Sequence, residues 1–301
     1  MADALPNGFA GFAPRDVNNA MFDLTLNLPK LSGSTVAIKK GTPLIYDTNS
    51  CAGAARQGTN EKVEIDLTNG GSVPTTGSFY LLWTPPNGTQ LTIGPIAYNA
   101  SVSDVQKAWD AAVGPGNTLI ANEDSGTGVW PTAAVDYSIT FKGKYSARNV
   151  GAVTVGTNTM DQTGAPNITV ATAGVEGHVT STTLIGFAND WDAGGSIVNW
   201  DALFPKAPNL DDPYGSTKQY LIQRALPGRR FVANYDPLYA LAQSVVSTTA
   251  VDIGYNLDND QFFIKPTTTV GLVYVTGLID PIGKYGGLVE FELKTAAIAL
   301  V

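Results

Sequence analysis

The sequence predicts a mainly β protein: an antiparallel β-barrel or sandwich domain interrupted by an inserted α+β domain with one helix. Three observations lead there. Apolar residues recur at period two in many short runs, such as Phe22, Leu24, Leu26 and Leu28 of FDLTLNL, which is the spacing of a strand with one buried face. Helical spacing with signals at both ends occurs over 102–113, and only one other short segment allows a helix. Gly (32) and Pro (18) make up about a sixth of the 301 residues, enough for frequent turns but below the roughly 25–30% typical of disordered chains.

Residues 1–21 mix Ala, Gly, Pro and Asn with isolated Phe9 and Phe12 and have no period; they read as an N-terminal arm whose aromatic residues dock on a partner. FDLTLNL is the first strand, closed by Pro29. Val36 and Ile38 begin a second, the Lys39-Lys40-Gly41 turn follows, and Pro43 opens a run through Leu44, Ile45 and Tyr46. The next region changes character. VEIDLTN, SFYLLWT, LTIGPIAYN, DYSITFKG, GAVTVGT and NITVATA read as strands around one helix. Ser101 with Asp104 fits a capping box, Val102, Val105, Trp109 and Ala112 fall on one helical face, and Gly114 ends it. Trp109 is expected in the core, packing that helix on the sheet.

After Gly177 the pattern returns to short apolar segments: TTLIGFA, KQYLIQRAL, RRFVANY, VGLVYVTGLID and GGLVEFELK. In the last, Leu288, Phe291 and Leu293 frame Glu290 and Glu292, which implies one wet face. DPLYALAQSVV allows a second short helix, with Asp236 as N-cap and Pro237 in the first position. The organisation is thus an arm (1–21), a discontinuous barrel (22–61 plus 178–301) and an inserted domain (62–177) with its helix at 102–113.

Charge and rare residues exclude whole classes of function. Eighteen Lys and Arg against 26 Asp and Glu give a net charge of −8, and the cations are scattered, which argues against a direct nucleic-acid partner. Cys51 is the only cysteine and His178 the only histidine, so no intramolecular disulfide, Cys/His zinc site or Cys/His dyad can form within one chain. A Ser/His/Asp triad would need His178, and no Gly-x-Ser-x-Gly elbow accompanies it. The N-terminus lacks a basic region followed by an apolar one, and no apolar run approaches the ~18 residues that span a membrane, so neither secretion nor a membrane partner is expected. Gly126-Thr127-Gly128 lacks the third glycine of a dinucleotide loop, and no cofactor is expected.

Several motifs carry candidate chemistry. The pairs Asp190/Asp192, Asp211/Asp212 and Asp258/Asp260 offer two carboxyls each, as a glycosidase requires, yet Asp among Asn and Gly is foremost a turn former, and catalysis ranks last. Asp190–Gly194 and Asn256–Asp260 resemble fragments of a calcium loop but lack the twelve-residue spacing and terminal Glu, so solvated loops and no metal are expected. Sequons at Asn87, Asn99 and Asn167 read as accidents of composition. Leu226-Pro227-Gly228-Arg229-Arg230-Phe231 sets two guanidinium groups between a turn and a strand, either as an interface for a partner's carboxylates or as a solvated edge. Cys51 reads as a small buried or loop residue. No catalytic residue is assigned, and the chain is expected not to be an enzyme. The candidate interface residues are Phe9, Phe12, Arg15, Arg229 and Arg230.

Two resemblances join these readings. The outer parts, with VAIKKGTPLIYD early and RRFVANYD, TTAVDIGYN and VYVTGLIDPIGKYGGLVEFEL late, resemble the small β-barrel head-decoration (cement) proteins of tailed bacteriophages. The centre, with Thr76-Gly77-Ser78-Phe79-Tyr80-Leu81, then Ile96-Ala97-Tyr98-Asn99-Ala100-Ser101, Val105-Gln106-Lys107-Ala108 and Tyr137-Ser138-Ile139-Thr140-Phe141-Lys142-Gly143, resembles a repeat of phage structural and bacterial surface proteins. The resemblance implies a non-enzymatic virion protein, made in the host cytoplasm, that binds the major capsid protein lattice from outside as a homotrimer and stabilises it. The alternative is a carbohydrate-binding or host-adhesion protein of a tail fibre or spike, drawing on Trp83, Trp130, Trp191 and Trp200 as sugar-stacking candidates.

Overall fold

A strand with one apolar face needs a second surface to cover it, and the chain meets that need in two separate units. The computed structural model describes residues 12–14, 25–29, 38–47, 49–68, 73–123, 137–162, 164–188, 219–239, 241, 243–246, 251–267, 271–280 and 287–299. The protein is mainly β, built of antiparallel sheets, with a single α-helix among the described residues. In chain order the elements are β1 (Phe12–Pro14), β2 (Thr25–Pro29), β3 (Pro43–Asp47), β4 (Ser50–Gly53), β5 (Arg56–Thr59), β6 (Lys62–Asp66), β7 (Ser78–Trp83), β8 (Leu91–Ala97), α1 (Val102–Val113), β9 (Thr118–Asn122), β10 (Tyr137–Phe141), β11 (Val153–Asn158), β12 (Asn167–Thr172), β13 (Val175–Val179), β14 (Gly186–Ala188), β15 (Gln219–Arg224), β16 (Arg230–Asn234), β17 (Val251–Asn256), β18 (Gln261–Pro266), β19 (Val273–Asp280) and β20 (Leu288–Leu293). The flanking unit comprises Met1–Gln57, His178–Tyr255 and Asp260–Val301; the inserted unit comprises Gly58–Gly177 and the hairpin tip Asn256–Asn259. The insertion expected from the sequence was the single stretch 62–177.

The flanking unit has an eight-stranded sheet in the order β1-β16-β20-β19-β17-β13-β5, with β18 paired to β17, and a five-stranded sheet in the order β2-β15-β14-β3-β4. Phe187 of β14 ties the two together: its ring lies 4.6 Å from Phe231 of β16 and 6.0 Å from Phe291 of β20, steeply inclined to both. Such edge-to-face contacts set the positive rim of one ring against the negative face of the next. The opposite face of the five-stranded sheet is also buried, by Leu28, Ile38, Leu44, Cys51, Ile185, Ala188 and Ile222. All three residues of β14 are therefore buried. The Cys51 thiol sits in that second core and donates to the Leu28 carbonyl at 3.7 Å.

Two local expectations change here. Among the described residues after Asp236 there is no α-helix: Asp236 Oδ1 accepts from Leu238 N at 3.0 Å, Tyr239 N donates to Asp236 O at 3.1 Å, and Gln243–Val245 makes a 3-10 turn. Tyr239, Leu241, Val245 and Val246 all pack on the core, and the two-residue step from Tyr239 to Leu241 is not a helical spacing. In β20, Val289, Phe291 and Leu293 line the core while Leu288 and Glu290 on the other face are buried too, so the face expected to be wet is covered in part, with Glu292 half-buried.

The inserted unit contains a four-stranded sheet, β12-β6-β10-β9, and a three-stranded sheet, β11-β7-β8. β7 follows strict alternation, burying Phe79, Leu81 and Trp83. Helix α1 spans the residues its end signals mark: Ser101 Oγ accepts from Asp104 N at 3.2 Å and donates to Asp104 Oδ2 at 2.7 Å, and Gly114 closes the helix at φ 87°. The serine's hydrogen bond holds the Asp104 carboxyl below the usual range. Trp109 turns inward as expected, to 5.9 Å from Trp83 and 5.7 Å from Phe141, and Tyr145 meets Trp83 edge-on at 4.9 Å. Trp83 Nε1 donates to Val150 O at 2.9 Å, and the buried Glu61 carboxylate accepts from Val150 N at 3.1 Å.

Candidate functional site

Of the five candidate interface residues, the described chain brings a stretch of the arm and the arginine pair to one sheet edge. β1 adds antiparallel to β16, with Phe12 opposite Ala233, Ala13 opposite Val232 and Pro14 opposite Phe231. Arg230 opens β16, so the arm strand ends beside the arginine turn. Three residues are too few to declare a period, which is why this strand was not legible in the sequence. Phe9 and Arg15 lie outside the described residues, as do Trp130, Trp191, Trp200, Asp190, Asp192, Asp211 and Asp212.

The turn itself follows from Pro227-Gly228: Gly228 takes φ 77°, where a side chain is strained, and Arg229 N donates to Leu226 O at 3.0 Å. Arg229 folds back on its own hairpin, donating to Arg224 O at 3.0 Å and to Gln223 Oε1, with its guanidinium 5.4 Å from the Phe231 ring centre. Arg230 reaches across the sheet to Glu290 Oε1 at 3.0 Å, and Thr276 Oγ1 donates to the same oxygen at 2.9 Å. The Arg230 side chain stays 52% exposed while Glu290 is only 11% exposed. Two permanently charged donors at a half-exposed sheet edge can bind carboxylates, but they do not shuttle protons at neutral pH.

The Asp258/Asp260 pair has another use. Asp258 accepts from Asn60 Nδ2 at 3.1 Å and from Gly143 N at 2.7 Å, within the inserted unit. Asp260, in the flanking unit, accepts from Lys39 Nζ at 2.8 Å, from Arg56 Nη1 and from the Tyr255 hydroxyl at 2.8 Å. Burial, and the hydrogen bond given to Asp260, push the Tyr255 phenol up to about 12 against the pull of Arg56. Arg56 also lies 4.8 Å over the Tyr255 ring. These carboxylates are turn anchors matched to protein donors. No local signal in the sequence pairs Asp260 with Lys39 or Arg56, because the strand order alone makes them neighbours. Among the described residues no group of three or more His, Cys, Asp or Glu gathers to hold a metal. Trp83 is fully buried and has no face open for a sugar.

No family model matches the chain, and no curated protein does. Among solved structures it is similar to the D2-D3 domains of the flagellar cap protein FliD from Escherichia coli, at 14% identity and a TM-score of 0.24 over 60% of this chain and 91% of that one. The D1-D2-D3 structure of the same protein gives 13% identity and a TM-score of 0.22 over 60% of this chain and 53% of that one. At these scores the likeness carries no argument.

Proposed function

We propose that this chain is a non-enzymatic virion protein of a tailed bacteriophage that binds the outside of the assembled capsid and stabilises it, acting as a homotrimer. The observation that supports the reading is the N-terminal arm laid as an extra strand on the β16 edge, beside Arg229 and Arg230. A short strand at a sheet edge is a unit of exchange: the same backbone pairing is available to an arm from a neighbouring copy or to a strand of the shell. The half-exposed guanidinium of Arg230 beside it suits carboxylates on that shell. Stabilisation follows from mass action. Copies that bind only the closed lattice stabilise it by their binding free energy, about 2.7 kcal/mol per site at a free concentration one hundred times Kd.

The test is the solution mass by light scattering, followed by co-sedimentation with expanded empty capsids from the same source. The reading expects a trimer that pellets with capsids, and a chain lacking residues 1–20 that stays in the supernatant. Unchanged capsid binding by the truncated chain would remove the arm from the interface. A full-length monomer that does not pellet would end the capsid reading itself.

A further inference from the structure

The two edges of the inserted unit's four-stranded sheet are treated differently. At the β9 edge, Gln106 of α1 acts as a substitute for a neighbouring peptide group: its Oε1 accepts from Ile120 N at 2.9 Å, and its Nε2 donates to Thr118 O at 3.3 Å. Those groups are the ones an added strand would need, so this edge is closed. At the other edge, β12 pairs with β6 through Asn167↔Asp66, Ile168↔Ile65, Thr169↔Glu64 and Val170↔Val63. Alternate residues of an antiparallel edge strand turn both N–H and C=O away from the ladder. Apart from that ladder, no backbone group of β12 is hydrogen-bonded to another described residue. Every residue of β12 except Ile168 is exposed, and Val170 is 55% exposed.

Pro166 stands just before β12 and a bulge follows Val170, but between them, over Asn167–Val170, the strand itself carries no charge and no proline. From Thr163 to Val175 there is no Asp, Glu, Lys or Arg, and Ile168, Thr169 and Val170 are consecutive β-branched residues. Edge strands are ordinarily guarded by lysine, proline or an inward-pointing charge. We infer that β12 is a self-association edge, pairing antiparallel with β12 of a second copy of this chain. The second copy is the occupant because an uncharged strand meets its own image without like-charge repulsion, in a protein whose net charge of −8 opposes most other self-contacts. Head-to-tail addition of β12 to β9 is blocked by Gln106, so within this sheet the pairing closes after two copies instead of growing into a filament. The inference goes beyond the capsid reading and does not depend on it: the β12 contact is two-fold, separate from any three-fold contact, and would join one trimer to another.

Single cysteines along β12 test the pairing in the full chain: Ile168→Cys, Thr169→Cys, Val170→Cys and Ala171→Cys, with Leu119→Cys on the capped β9 edge as control. Leu119 is 48% exposed, close to Val170, and the native Cys51 is buried. Under mild oxidation at about 10 µM protein, at least one β12 cysteine is expected to give disulfide-linked pairs on the order of a hundredfold faster than the control, because paired thiols meet at a roughly millimolar effective concentration. Adding a lysine at position 169 or 170, whichever is free, to the β12 cysteine that couples fastest is expected to return its rate to the control level with the circular dichroism spectrum unchanged. Coupling along β12 no faster than at Leu119→Cys, or coupling that persists with the lysine in place, overturns the proposal. Capsid co-sedimentation of the same variants separates its failure from that of the capsid reading.

Discussion

The inserted unit buries one face of most of its strands, whereas the flanking unit buries both faces of several. In β7 the pattern runs Phe79, Leu81, Trp83 inward with Ser78, Tyr80 and Leu82 partly open, and a helix covers the aromatic side. In β14 all three residues are buried, because the strand lies between two cores, and four of six residues of β18 and five of six of β20 are buried as well. Stability in the first case rests on a few large side chains. In both it also rests on how closely backbones approach, at Gly77 and Gly174 in the inserted unit and at Gly186 in the flanking one. Gly186 illustrates this: it adopts φ 153°, and a Cβ there would lie 2.0 Å from the Gln223 carbonyl oxygen of the paired strand β15.

The largest test of this contrast is Trp109→Ala. Removing a fully buried indole that touches Trp83 and Phe141 is expected to cost about 3–5 kcal/mol, read from urea unfolding by circular dichroism. A cost under about 1 kcal/mol would mean the aromatic cluster does not hold the inserted unit. Next is Gly186→Ala, which forces β14 from β15 or strains the backbone, at about 2–3 kcal/mol in the same measurement. Neutral behaviour there would show that strand proximity in the flanking unit is slack. Ser101→Ala removes the α1 cap and is expected to cost about 1 kcal/mol, with Ser101→Thr, which keeps the hydroxyl, restoring most of it.

The smallest effects separate the units by pH. Thr75 and Thr76 hold the Asp161 carboxyl at about 2 through the Thr75 hydroxyl and both backbone amides. A depressed carboxylate contributes stability above its ordinary value of 3.8, and that contribution is lost as pH falls towards about 2. Burial raises Tyr235 and Tyr255 to about 12, so their contribution is complete below pH 10 and is lost as pH rises through about 12. The inserted unit should therefore loosen first in acid around residues 75–76 and the flanking unit first in alkali, with amide exchange by NMR locating each. Asp161→Asn should remove the acid step at residues 75–76 and leave the alkaline one in place.

Legibility in the sequence followed the same division. The helix over 102–113, its Ser101 cap, its Gly114 stop and the inward Trp109 could be read in advance, since each depends on residues within a few positions of one another. Among the described residues the helix expected after Asp236 did not form, because an Asp that accepts from the backbone two residues on caps a turn as readily as a helix, and core contacts chose the turn. Glu290 was expected at a wet face and is buried against Arg230 and Thr276. Alternation marks which residues share a face; it does not tell whether a further layer covers that face.

The sequence by itself determined the β class, the one helix with its ends, and the exclusion of disulfide and Cys/His chemistry within the chain, because composition and short-range hydrogen bonding suffice for these. Only the tertiary structure decided that Asp260 belongs to Lys39, Arg56 and Tyr255, that Arg230 belongs to Glu290, and that Gln106 of the helix closes the β9 edge. Most of those pairings join residues far apart in the chain. Their distances are set by strand order, which emerges only when the sheets assemble and every backbone group seeks a partner.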